Sequence, residues 1–173
     1  MSLRRITPAL LLGLATLQAG CAHDPSATFT IVTADSRQPD RAWPAEHVVE
    51  LDRYSSQALA RWSTCTRRMR RGGERRFTWE RVPEARDPDL ALLPARPTRA
   101  QGTVQGTRGI LPLSYWLWLT PEARYSWVAH EMGHTWGILD LDTGLDRALM
   151  SKTASAPDVT ARDCLELCRL GWC

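Results

Sequence analysis

Lysine, phenylalanine and histidine are scarce in this sequence, and it contains no internal repeat or low-complexity tract. Lys152 is the only lysine among 22 basic residues, and the formal net charge is +3. A net charge this small gives no ground for expecting a nucleic-acid partner. The lack of a repeat excludes a repeat array, and 173 residues with 43% apolar and 24% charged residues fit one soluble globular domain.

The first twenty residues have the pattern of a secretory signal peptide. Two arginines precede an apolar run over residues 6–17, which is too short for a stable transmembrane helix. An Ala-Gly pair directly before Cys21 resembles the lipobox of bacterial lipoproteins, whose signal is cut before a cysteine that is then lipidated. We therefore expect residues 1–20 to be removed and Cys21 to carry a lipid. Residues 21–28 would tether a domain to the cell envelope, at the outer membrane or periplasmic face; plain secretion is the alternative.

Four further cysteines remain in the chain: Cys65, Cys164, Cys168 and Cys173. An even number in an exported protein indicates two disulfides. Cys164 and Cys168 lie one helical turn apart, which is a poor geometry for a bond between them, so each is expected to bond a distant partner. We prefer Cys65 with Cys164 and Cys168 with Cys173. Exchange of the two helix cysteines is the first alternative, and a second zinc site made by the last three cysteines is another.

Strand and helix patterns alternate along residues 29–173. Alternating or β-branched runs predict strands over residues 29–33, 77–82 and 89–93, the last closed by Pro94. Residues 110–119 are apolar and aromatic, and Pro112 places them at a sheet edge or bulge. Helical spacing of apolar residues predicts helices over residues 45–71 and 161–170, the second with Thr160 as its cap and Asp163 three residues further on.

A third helix has the clearest boundaries. Thr120 supplies a side-chain cap, Pro121 suits the first helical position, and Glu122 places a carboxylate at the positive end of the helix dipole. We expect this helix to run to about Trp136, because Gly137 is suited to end it in a left-handed conformation.

The chemical signal lies inside this third helix. His130 and His134 are four residues apart in the run HEMGH, so both imidazoles project from one face toward a shared point. Two imidazoles can begin a zinc site, which then needs a third protein ligand and keeps one position for water. Glu131 is angled away from the ligands, so its carboxylate can act as general base. A chance match to this pattern arises in on the order of one in several hundred such sequences.

The residues after the helix extend the pattern. HEMGHTWGILD, followed by ALMS at 148–151, resembles the metzincin clan of zinc peptidases, whose motif has a glycine turn, a third ligand and a Met-turn. An aspartate at the position of the third ligand is similar to the pattern of the snapalysin-like branch. The resemblance implies that Asp140 is the third zinc ligand, with Asp142 as the alternative, and that Met150 forms the floor of the site. Lys152 stands where some metzincins have a tyrosine.

The resemblance also implies a fold and an activity. We expect an α+β, metzincin-like fold. A small twisted mixed β-sheet with two long helices would extend to about residue 137. A short irregular C-terminal subdomain with one helix would cover residues 138–173. The expected function is that of a monomeric zinc endopeptidase using one catalytic ion. Its peptide substrate would pair with an edge strand within residues 101–115.

Several alternatives remain at this point. The first is a zinc-binding envelope lipoprotein without catalysis, although Glu131 argues against it because a structural site does not need that base. The second is an arginine-rich protein that binds anionic lipid, acidic substrate or nucleic acid through residues 61–81, where a solvated helix face and loop is the more common arrangement.

The remaining aromatic residues and histidines are less informative. Tyr115, Trp116 and Trp118 could either line a substrate groove or pack in the core. His23 and His47 have no motif around them, so we expect both to be exposed to solvent.

Overall fold

The computed structural model describes residues 26–35, 38–69, 76–82, 88–95, 108–142, 147–151 and 156–173. Cys21, His23, Lys152 and most of the glycine-rich segment before Gly109 lie outside these residues. The elements follow in the order β1 (Ser26–Val32), β2 (Ala34–Asp35), β3 (Gln38–Ala42), α1 (Ala45–Met69), β4 (Arg76–Arg81), β5 (Leu90–Ala95), β6 (Arg108–Pro112), α2 (Leu113–Trp118), α3 (Pro121–Thr135) and α4 (Ala161–Arg169).

The main sheet has the strand order β4-β1-β5-β6, and its described strands all run parallel. The expectation of a mixed sheet is therefore wrong for this part of the chain, because the antiparallel pairing belongs to a separate ribbon of β2 and β3. Parallel neighbours need a crossover, and α1 supplies it between β1 and β4. The coarser expectation, a mixed α and β fold with two long helices and one C-terminal helix, is confirmed.

Two prolines lie in the paired strands β5 and β6. Pro94 does not close β5 but pairs with Leu111 in β6, at a point beyond the end of the β1–β5 pairing, so β1 does not need an N–H from this residue. Pro112 ends the edge strand β6, as expected for an edge position. The residues after it form the short helix α2 instead of a continued strand, because Pro112 has no N–H for the ladder and its φ of −58° suits a helix start.

One face of the sheet packs against α1 and α3. Phe29 and Ile31 of β1, with Leu90 and Leu92 of β5, belong to the same buried cluster as the helix side chains, whereas the alternate strand residues belong to a smaller cluster. Trp62 of α1 is fully buried and donates a hydrogen bond of 3.0 Å to the Ala129 carbonyl in α3. The two helices are thereby joined close to the predicted metal ligands.

A polar cluster joins the beginnings of α1 and α3. Arg124 donates to both carboxylate oxygens of Glu50 at 3.1 and 3.0 Å. His47 is half-buried, 3.2 Å from Glu50 and 3.3 Å from the Trp116 indole nitrogen, so its expected exposure is wrong: α2 packs over the first turn of α1. Burial alone raises the pKa of Glu50, but the hydrogen bond with His47 and the charge of Arg124 lower it below its usual value.

Two disulfides hold the C-terminal part in the preferred pairing. Cys65 of α1 bonds Cys164 of α4, and Cys168 bonds Cys173. Both the exchanged pairing and a zinc site made by the last three cysteines are therefore wrong. Trp172, which lies next to Cys173 of the second disulfide, donates a hydrogen bond of 3.1 Å from its indole nitrogen to the Trp136 carbonyl. No described helix is both long enough and apolar enough to cross a membrane.

Candidate metal centre

Helix α3 positions the two histidines. The Thr120 hydroxyl accepts the Ala123 amide at 3.3 Å, and Pro121 occupies the first turn, as the sequence predicted. At the other end Gly137 has φ +82°, so the predicted left-handed termination is confirmed. The chain reverses there and brings residues 138–142 back toward the last turn of the helix.

Each histidine ring is oriented by a backbone carbonyl. His130 Nδ1 lies 2.8 Å from the Leu149 carbonyl oxygen, and His134 Nδ1 lies 2.7 Å from that of Ile138. A carbonyl can only accept, so Nδ1 is the protonated nitrogen in both rings and Nε2 carries the free lone pair. Burial lowers the pKa of His134, which favours the neutral ring that a metal requires.

Asp140 completes a group of three side chains that could hold a metal ion. Its Oδ1 atom lies 3.2 Å from His130 Nε2 and 3.6 Å from His134 Nε2. Ligand atoms bound tetrahedrally to zinc at 2.0–2.1 Å are separated by about 3.3 Å, so these distances fit one ion. His134 Nε2 is buried and has no hydrogen-bond partner, as expected of a nitrogen that binds a metal. Two imidazoles and a carboxylate are one of the ligand sets that hold catalytic zinc, and the same set also holds Fe(II) in other proteins.

Within the described part of the chain, His130, His134 and Asp140 are the only such group of three. We call them the ligand group. Asp142, the alternative third ligand, is exposed and does not belong to it. Asp140 follows the left-handed turn at Gly137 by three residues.

Glu131 lies buried beside the ligand group. Its Oε2 atom has no hydrogen-bond partner, and only 5% of the residue is exposed. Burial, followed by the negative charge of Asp140, raises the pKa of Glu131 to about 8, and a hydrogen bond with Trp127 opposes part of that rise. A carboxyl group with a pKa this close to neutrality can take up and release a proton at physiological pH.

Gly109 of β6 makes room for Glu131. A Cβ atom at position 109 would lie 2.7 Å from Glu131 Cγ and 3.1 Å from its Oε2, closer than packing allows. In the sequence, Gly109 is distinguished only by lying within residues 101–115, where an edge strand for the substrate is expected. A glycine next to a strand, ahead of the helix, was the available signal for a close approach.

Met150 packs against the turn of α3 between the two histidines. It is fully buried, and a Cβ atom at Gly133 would overlap its Sδ atom and lie 3.0 Å from Trp62. The Met150 carbonyl accepts the Leu141 amide at 2.6 Å, which ties the turn to the segment carrying Asp140. The Leu149–Met150 turn therefore packs against the helix turn that carries both histidines.

The three aromatic residues of α2 differ in burial. Trp116 is fully buried, whereas Tyr115 and Trp118 are exposed. The centroid of the Trp116 ring lies 6.0 Å from that of Trp127 in α3. Trp116 is thus a core residue, and a substrate groove lined by Tyr115 and Trp118 stays a prediction.

Two arginines of the arginine-rich segment, Arg61 and Arg81, are paired with acidic residues. Arg61 lies 3.1 Å from Asp158, and Arg81 lies 3.5 Å from Asp52; both arginine side chains are about half exposed. These pairs fit a solvated surface better than a dedicated anion site.

Compared with known proteins, the chain matches no family model and no curated protein sequence. The geometry of the ligand group and of Glu131 is therefore the main support for a function.

Proposed function

We propose that this chain is a zinc-dependent endopeptidase with a metzincin-like domain of the kind that uses aspartate as third ligand. The main support is the convergence of His130 Nε2, His134 Nε2 and Asp140 Oδ1 within 4.8 Å of one another. A buried carboxyl group, Glu131, stands beside them with one unpaired oxygen. Such an oxygen costs free energy in a purely structural site, so its presence favours catalysis.

The ligand group would hold one zinc ion through two neutral imidazoles and one carboxylate. When bound, zinc lowers the pKa of water from about 15.7 toward about 7 and polarises the peptide carbonyl. Hydrogen bonds from Nδ1 to the Leu149 and Ile138 carbonyls fix both rings with Nε2 facing Asp140. A fixed ring orientation strengthens metal binding, because little motion is lost when the ion enters.

Glu131 is the proton carrier in this proposal. Its Oε2 atom accepts a proton from the attacking water and then donates it to the amine nitrogen of the leaving peptide. Burial keeps bulk water from competing for that oxygen, and the carboxyl group returns to its starting charge at the end of the cycle. No other residue is needed to move this proton.

Strand β6 is the proposed surface for the substrate backbone. It is an edge of the described sheet, and its Gly109 lies directly against Glu131. An extended peptide can add to such an edge by main-chain hydrogen bonds, which brings a scissile bond past the general base. We also propose that the protein acts in the cell envelope, attached through a lipid on Cys21, with secretion as the alternative.

The test is zinc stoichiometry combined with cleavage of a peptide library. We expect one zinc per chain and cleavage by the wild type, and we expect Glu131→Gln to bind zinc but to lose at least about 100-fold in kcat/KM. Glu122→Gln is the matched control, because Glu122 is exposed in the first turn of the same helix. Undiminished cleavage by Glu131→Gln would overturn the mechanism, and zinc binding without any cleavage would favour the non-catalytic module.

A further inference from the structure

Asp163 is a fully buried carboxylate in the first turn of α4. Its Oδ2 atom accepts the Thr160 amide at 2.8 Å while Thr160 Oγ1 accepts the Asp163 amide at 3.4 Å, which is a capping box, and the Thr160 hydroxyl also donates to Oδ2 at 2.6 Å. The carboxylate has two further bonds that capping does not need. Oδ2 accepts the Leu149 amide at 2.9 Å and Oδ1 accepts the Met150 amide at 3.0 Å.

These two bonds lead to a metal ligand. Asp163 holds the Leu149 amide, and the carbonyl of the same residue accepts the His130 Nδ1 proton at 2.8 Å. The buried negative charge is thus separated from the imidazole by one residue of backbone. Charge-assisted bonds of this kind are stronger than neutral ones and fix their partners more firmly.

We propose that Asp163 is a positioning residue of the metal centre: it holds the Leu149–Met150 turn so that the Leu149 carbonyl keeps the His130 ring oriented for the ion. This inference rests on the proposed function. It assigns part of the zinc affinity to a residue that does not touch the ion. Partners that orient a ligating histidine commonly change metal affinity by about 10 to 100-fold when they are replaced.

Asp163→Asn is the sharpest variant, because it keeps the shape of the side chain. The amide can still accept one of the two turn amides through its oxygen. Its NH₂ group, itself a donor, takes the place of the other carboxylate oxygen, so in either orientation at least one of the two turn amides loses its acceptor. The turn should lose its fixed position while the volume of the buried side chain stays the same.

Thr160→Ala is the matched control for stability. It removes the hydroxyl that bonds Asp163 Oδ2 and caps α4, but it leaves both bonds from Asp163 to the turn. A residue that only caps the helix would give the same zinc affinity in both variants. If Asp163 is a positioning residue, Asp163→Asn binds zinc more weakly than Thr160→Ala.

The experiment measures the zinc dissociation constant by chelator competition and the visible spectrum of the cobalt-substituted protein. We expect Asp163→Asn to bind zinc at least about 10-fold more weakly, with an altered cobalt spectrum, and Thr160→Ala to keep the wild-type values. Wild-type affinity and spectrum in Asp163→Asn would overturn this inference alone. Failure of the wild type to bind zinc would overturn the proposed function as well.

A measurement on the wild type covers the case in which Asp163→Asn does not fold. Coupling between sites is reciprocal, so zinc should slow hydrogen exchange at the Leu149 and Met150 amides more than at the Leu170 amide, which bonds only within its own helix end. Equal slowing at all three amides would contradict the role of Asp163.

Discussion

Two glycines set how closely the parts of the site approach one another. Gly109 lets Glu131 lie against strand β6, and Gly133 lets Met150 lie against α3. In both places a single methyl group would enter space already filled by a functional side chain. Neither glycine has a positive φ, so packing and not backbone conformation requires them.

Glu131 also makes the stability of the metal-free protein depend on pH. Its pKa is about 8 in the folded state against an ordinary 4.5, so the folded state retains a proton that the unfolded state releases. The free energy of unfolding should therefore fall as pH rises from about 4.5 to about 8, by a few kcal/mol at most, and level off above that range. Urea unfolding of the metal-free protein across this range measures the effect.

Variants show whether Glu131 is the group responsible. Glu131→Gln has no proton to lose at this position, so it should lack that fall and exceed the wild type in stability above pH 8. Glu122→Gln should retain the fall. If the free energy of unfolding changed with pH in the same way in the wild type and in Glu131→Gln, Glu131 would not be the group responsible.

Among the elements, the helix carrying the histidines was the most predictable. Thr120, Pro121 and Gly137 are local signals that act within one turn, and the structure has all three where they were expected. The strand-to-helix change after Pro112 was missed, because an apolar aromatic run has no period that distinguishes the two. His47 was missed for a different reason: its partners Glu50 and Trp116 come together only when α2 packs on α1.

The left-handed turn that ends α3 supports a prediction about Asp140. Gly137→Ala forces a Cβ atom onto φ +82°, which costs about 1–2 kcal/mol and should displace the segment that carries Asp140. Gly171→Ala is the matched control, with φ +87° just beyond the end of α4 and no ligand after it. We expect similar losses in the free energy of unfolding but weaker zinc binding only in Gly137→Ala. Equal zinc affinity in both variants would show that the turn at Gly137 does not position Asp140.

At the scale of the whole molecule, the site depends on contacts between distant parts of the chain. The sequence identified the ligand group, Glu131 and Met150, because they follow one another within a short segment. It could not identify the bonds of Asp163 to the Leu149–Met150 turn or the contact of Gly109 with Glu131, because these form only after α4 and β6 have packed. The parallel arrangement of the main sheet likewise depends on how α1 crosses it.

The two disulfides should contribute unequally to this assembly. Cys65 and Cys164 are 99 residues apart in sequence, and Cys168 and Cys173 are 5 apart. Loop-closure entropy predicts losses of about 5 and about 2 kcal/mol when each pair is replaced by alanine. Because Cys164 follows Asp163, only the first replacement should also weaken zinc binding. Chemical unfolding and zinc competition on both double variants measure this, and equal zinc affinities would contradict it.

We propose that two imidazoles and one carboxylate bind a single zinc ion, with one position left for water. X-ray absorption at the zinc edge tests this directly on the purified protein. We predict four nitrogen or oxygen neighbours at about 2.0–2.1 Å, outer-shell scattering from two imidazoles, and loss of one protein oxygen ligand in Asp140→Ala. Sulfur neighbours at about 2.3 Å, or a spectrum without imidazole scattering, would contradict the account.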